Sequence, residues 1–99
     1  MQLKDPKAGM LTKKITIQNK LGLHARAASK LVAVASRFGA EVTLHKDDLT
    51  ANAKSIMGLM MLAARYNTEI TLTTAEGNDA EAALEAIISL INQKFGEAE

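Results

Sequence analysis

Ninety-nine residues, 47% hydrophobic and 23% charged, describe one domain with a single core, too small to hold a catalytic domain beside a binding domain. Twelve basic against eleven acidic side chains, with only Phe38, Tyr66 and Phe95 as aromatics, argue against a nucleic-acid binder, and the lack of cysteine removes disulfides, thiolate metal sites and cysteine nucleophiles. The apolar runs fall short of the roughly 18 residues that span a bilayer, so a cytoplasmic protein without membrane contact is expected.

Residues 1–10, MQLKDPKAGM, carry neither a signal-peptide pattern nor an apolar period and are expected to form a flexible extension ahead of a domain over 11–96. From Leu11 to Gln18 the chain alternates, with Leu11, Lys13, Ile15 and Ile17 against Thr12, Lys14, Thr16 and Gln18, which predicts a strand with one buried face. Asn19 to Gly22 breaks it. Between Ala25 and Phe38 the period becomes helical: Ala28, Leu31, Ala35 and Phe38 share one face and Arg26, Lys30, Ala33 and Arg37 the other, with Gly39 placed to cap the C-terminus. Alternation returns in Ala40 to His45, with Ala40, Val42 and Leu44 inward and Glu41, Thr43 and His45 outward. The turn Lys46-Asp47-Asp48 then leads into a short strand near Leu49 to Ala53, completing a hairpin.

Ser55 is a natural N-cap for the apolar segment SIMGLMMLAA, long enough for two or three helical turns. TEITLTT sets Ile70 and Leu72 between threonines as a further strand. After Gly77, Asn78 and Glu81 have capping-box spacing, and Ala80, Leu84, Ile87, Ile88, Ile91 and Phe95 form an apolar stripe that ends at Gly96. The last three residues are expected to be disordered. The order strand-helix-strand-strand-helix-strand-helix lets three helices cover one face of a four-stranded sheet, and threonine at the outer positions implies a wet opposite face, hence antiparallel strands and an α+β class.

No nucleotide-binding loop, zinc-protease motif, serine-hydrolase elbow or carboxylate pair is present, so no cofactor and no metal are expected. His45 falls on the polar sheet face and reads as a solvated residue. His24 differs because it sits where a helix begins, beside N–H groups without carbonyl partners and the positive end of the helix dipole. Such a place attracts anions, so a phosphorylated histidine is favoured there, and the Arg26 guanidinium can reach the same oxygens. The plain alternative is a helix-capping histidine with a solvated arginine next to it.

The segments LGLHARAASKL, KSIMGLMML and AEGNDAEAALEAI, in this order and at these separations from about Leu11 to Phe95, resemble HPr, the family of histidine-containing phosphocarriers of the phosphoenolpyruvate-dependent phosphotransferase system. The resemblance implies an open-faced β-sandwich of four antiparallel strands and three helices. It implies that His24 is phosphorylated on the ring nitrogen nearer the backbone, with Arg26 as electrostatic partner, and that Ser55 is a regulatory phosphorylation site. Ala25, Ala28, Ile56, Met57 and Met60 match the surface on which partners dock, whereas Met61 and Leu62 are expected in the core. The implied partners of a monomeric carrier in sugar uptake are Enzyme I, IIA proteins and HPr kinase/phosphorylase. A nitrogen-branch regulator is the alternative within the family, and a plain protein-interaction module the alternative outside it. The chain departs from the family's usual His-Ala-Arg-Pro by placing Ala27 in the fourth position, which bears on the rigidity of the first helical turn.

Overall fold

The computed structural model describes residues 3–5, 10–75 and 77–99. In chain order its elements are β1 (Leu3–Asp5), β2 (Met10–Thr16), α1 (Ala25–Ala35), β3 (Val42–Lys46), β4 (Leu49–Asn52), α2 (Ile56–Met61), β5 (Glu69–Thr74), α3 (Ala80–Asn92) and a 3-10 turn at Lys94–Gly96. All strand pairs are antiparallel and the sheet runs β1-β2-β5-β3-β4. The expected four strands and three helices are therefore present as an open-faced sandwich. The addition is β1 at the sheet edge, which pairs Leu3, Lys4 and Asp5 with Thr12, Leu11 and Met10. Three residues are too few to show an apolar period, so only the neighbouring edge of β2 reveals them. The rest of the expected extension, residues 1, 2 and 6–9, lies outside the described residues.

The register explains the two faces. Leu72 of β5 lies opposite Lys13 on one side and Leu44 on the other, and Leu44 lies opposite Ala51. Leu72, Leu44 and Ala51 are buried beneath the helices. The adjacent row crosses Thr12, Thr73, Thr43 and Asn52, and the next Lys14, Thr71, His45 and Thr50. This is the threonine-rich outer face, and His45 stands on it as expected.

The helices meet the other face with Ala27, Ala28, Leu31 and Ala35 of α1 and Ala80, Ala83, Leu84, Ile87 and Ile91 of α3, packed on Ile15, Ile17, Val42, Leu44, Ile70 and Leu72. Each Leu or Ile buried in this way contributes about 1.5–3 kcal/mol. The alanines let α1 lie close to its neighbours. Among the described residues no helix is long and apolar enough to cross a membrane.

Helix ends depart from the sequence expectations in three places. α1 stops at Ala35 with Ser36 as C-cap, so Phe38 lies beyond the helix and Gly39 is no left-handed cap. The N-cap of α3 is Asp79 rather than Asn78, and it makes no capping bond. Its carboxylate instead accepts from the Gly39 N–H at 2.7 Å and the Ala40 N–H at 3.0 Å, tying the start of α3 to the entry of β3. Finally, α3 ends at Asn92. Lys94, Phe95 and Gly96 follow with φ of 57, 56 and 80°, which reverses the chain and drives the Phe95 ring into the core.

Candidate functional site

The loop Asn19 to Leu23 explains how His24 is presented. The Gly22 N–H donates to the Asn19 carbonyl at 3.0 Å, and the Asn19 side-chain amide donates to the Gly22 carbonyl at 2.8 Å, closing a tight turn on itself. Gly22 has φ +67°, and a Cβ there would stand 2.6 Å from the Ala64 carbonyl oxygen. Only glycine permits that approach. It allows the Leu23 N–H to bond Ala64 O at 2.8 Å, fastening the loop to the segment after α2.

His24 is the N-cap residue of α1 in extended backbone, and its side chain makes no capping bond. The first intrahelical bond runs from the Ala28 N–H to the His24 carbonyl at 2.8 Å, so the N–H groups of Ala25, Arg26 and Ala27 precede the ladder. Arg26 is exposed two residues on from the histidine, and both line an open cleft of about 300 Å³ with Lys20, Leu21, Glu97, Ala98 and Glu99. A second, smaller cleft of about 150 Å³ on the other flank of His24 is lined by Leu21, Leu23, Ala63, Ala64 and Arg65. Unpaired helical N–H groups with cationic side chains on both flanks form a favourable place for a phosphate. Among the described residues no cluster of three or more His, Asp or Glu has the arrangement to hold a metal ion.

The C-terminal residues are not disordered but complete this site. Glu97 Oε2 meets His24 Nε2 at 2.5 Å, Glu97 Oε1 accepts from the Asn19 side chain at 3.0 Å, and the Lys20 N–H donates to Glu99 O at 2.7 Å. The side chains of His24 and Glu97 are 28% and 16% exposed. Burial pushes the Glu97 carboxyl up, but the hydrogen bonds from Asn19 and His24 and the charges of His24 and Lys30 outweigh it and hold the group below its ordinary value. Glu97 is therefore ionised at neutral pH. A carboxylate at Nε2 places the ring proton there, which leaves the Nδ1 lone pair available. Neither Glu97 nor Asn19 was expected at the site, because they lie 73 and 5 residues from His24 and carry no local signal.

Ser55 caps α2 as expected, its Oγ accepting from the Gly58 N–H at 3.0 Å. Ile56, Met57 and Met60 are exposed on α2, forming an apolar surface on the helix that runs into Ala63–Arg65, the segment lining a cleft with His24. Two expectations are corrected. Met61, assigned to the core, is 74% exposed and extends this surface together with Leu21, because α2 rests on the domain through Leu59 and Leu62. Ala28, assigned to partner docking, is fully buried against the core, whereas Ala25 beside His24 is exposed. Ala28 shares its helix face with Leu31 and Ala35, three and seven positions on, and that face is the buried one.

Ala27 is also fully buried, on the third residue of α1. Its N–H accepts no role in the helical ladder, so Ala27→Pro removes no intrahelical bond and should raise stability by about 0.4–1 kcal/mol by restricting the unfolded chain. Thermal melting checks this. A lower melting temperature would show that the proline ring overfills the space around Ala27.

Residues 11–93 match the family model described as PTS HPr component phosphorylation site. The phosphocarrier protein HPr of Neisseria meningitidis is 53% identical over 90 residues, covering 91% of this chain and 100% of the relative. The phosphocarrier protein NPr of Shewanella violacea is 50% identical over 88 residues, covering 89% and 96%. The crystal structure of HPr from Thermoanaerobacter tengcongensis superposes with a TM-score of 0.82 at 43% identity, covering 89% of this chain and 98% of that one.

Proposed function

The chain belongs to the HPr family of phosphocarriers, and from that premise we propose that His24 accepts a phosphoryl group on Nδ1 from Enzyme I and passes it to IIA proteins in sugar uptake. The observation that carries this reading is the placement of His24: at the open N-terminus of α1, with Nε2 engaged by Glu97 and Nδ1 left as the nucleophilic atom. Arg26 supplies a planar cation for the phosphoryl oxygens, and the unpaired N–H groups of the first turn supply further donors. The protein relays the group and needs both partners to turn over. It works in the cytoplasm, where its partners are. The NPr relative supports a second reading, a carrier of the nitrogen branch. Incubation with phosphoenolpyruvate and Enzyme I should add one acid-labile phosphate, and transfer onward to purified IIA proteins of each branch separates the two readings.

Ile56, Met57, Met60 and Met61 form the docking surface of this relay, with methionine suited to several partners because an unbranched thioether repacks readily. Ser55, at the head of the same helix, is the regulatory site, acted on by HPr kinase/phosphorylase. A negative charge there is compatible with α2, whose first N–H groups it faces, but a partner seated on Ile56 and Met57 must desolvate it. Ser55→Asp should therefore keep its melting temperature while docking weakens by about 1–3 kcal/mol, roughly a 5- to 150-fold loss. Transfer kinetics equal to the unsubstituted protein would reduce Ser55 to a helix cap.

A further inference from the structure

We propose that Glu97 is a positioning residue for phosphoryl transfer: its carboxylate holds the Nε2 proton of His24 and stabilises the positive charge that the ring gains when Nδ1 bonds phosphorus. This role rests on His24 being the phosphoryl acceptor.

Both carboxylate oxygens are committed, Oε1 to the buried Asn19 amide and Oε2 to the imidazole. Asn19 is fully buried and its amide also grips Gly22 O, so the anchor for Glu97 belongs to the same turn that positions His24. The tail is fastened on both sides of Glu97. Lys30 Nζ donates to Phe95 O at 2.7 Å before it, and Lys20 N donates to Glu99 O at 2.7 Å after it. An untethered surface glutamate shows none of this. Four separate bonds converge to fix one carboxylate against one imidazole edge.

The chemistry needs that carboxylate. In the forward step the Nδ1 lone pair forms the bond to phosphorus, the bond from phosphorus to the donor's leaving atom breaks, and its electron pair remains on the donor. No proton is lost. A ring that keeps its Nε2 proton and gains a substituent at Nδ1 is an imidazolium, so positive charge develops on it during the step. The facing carboxylate stabilises that charge, as the carboxylate behind the histidine does in a Ser-His-Asp triad. In the return step the N–P electron pair goes back to Nδ1 and the ring is neutral again. The other ionisable groups around the ring are Arg26, Lys20 and Glu99 in the larger cleft, Arg65 across the smaller one, and Lys30 behind Glu97. Among the described residues it is Glu97, and none of these, that is bonded to the imidazole.

Glu97→Gln tests the role, because a carboxamide keeps the shape but carries no charge and presents its oxygen to only one of Asn19 and His24, which Glu97 serves through separate oxygens, while its NH2 faces the other. Single-turnover transfer from phosphorylated Enzyme I should slow by roughly 10- to 100-fold, taking as the guide the loss that follows removal of the hydrogen-bond partner orienting a metal-bound imidazole. The loss should lie in the rate constant and not in the apparent affinity for Enzyme I. A loss confined to affinity, an unchanged rate, or faster transfer would overturn the role, the last by showing the tail to be a cover over His24. If the unsubstituted protein takes no phosphate from Enzyme I, the carrier reading fails and this role with it. If it is phosphorylated and the variant behaves identically, only the role of Glu97 fails.

Discussion

His24→Ala should abolish Enzyme I-dependent phosphorylation completely while leaving the domain folded. The side chain of His24 makes no capping bond to α1, so its loss does not unravel the helix. Its one contact of consequence is with Glu97, and that carboxylate keeps its bond from Asn19 and the nearby charge of Lys30 after the imidazole is gone. The pair is partly exposed, which limits the expected stability change to about 1 kcal/mol in either direction. The chemistry has no substitute. The other histidine, His45, stands on the outer sheet face opposite Thr71 and Thr50, away from any helix N-terminus. Intact-mass measurement after incubation with phosphoenolpyruvate and Enzyme I should find no added phosphate on His24→Ala and full labelling of His45→Ala. A labelled His24→Ala protein would place the acceptor elsewhere.

Phe95→Ala should be the most damaging substitution outside the helices, costing about 3–5 kcal/mol through lost burial and the cavity left behind. Phe95 is 1% exposed and is among the largest fully buried side chains of the core. It lies between Lys94 and Gly96 in a run of left-handed backbone, a conformation that non-glycine residues adopt only when something holds them there. Burial of the ring supplies that hold. For a domain of this size each kcal/mol moves the melting temperature by roughly 4–8 °C, so a fall of more than about 12 °C is expected. The same substitution should release the tail, and with it Glu97 from His24. Phosphoryl transfer measured below the new melting temperature should then slow as it does in Glu97→Gln. A stable Phe95→Ala protein with normal transfer would show that neither the ring nor the tail it anchors matters to the site.

These two positions mark the limit of what is legible along the chain. His24 announces itself locally: a turn ending in Gly22, a helix beginning at Ala25, and a basic residue two positions on. Ser55 does the same, since a serine before an apolar run is a short-range pattern and its Oγ does accept from Gly58. The strand alternation from Leu11 and from Ala40, and the apolar stripe of α3, also follow from side-chain period alone, because a strand repeats every two residues and a helix every 3.6. Met61 shows where the pattern runs out. In a helix of only six residues with apolar side chains on every face, period cannot say which methionine is buried, and the packing of Leu59 and Leu62 decides it.

The amino-acid sequence by itself thus determined β2 to β5, the presence of the three helices and the break before His24, since these rest on patterns within a dozen or so residues, and the family through three such segments in order; the three-residue β1 it did not show. Only the tertiary structure decided where the helices end and what stands behind the histidine. Asp79 leaves its own helix to bind Gly39 and Ala40. Glu97 crosses to a histidine 73 residues earlier because Phe95 is drawn into the core and turns the chain back. Both contacts join residues far apart along the chain, where backbone period carries no information. Such contacts exist only after the hydrophobic core has closed and brought the loops at one end of the sheet together.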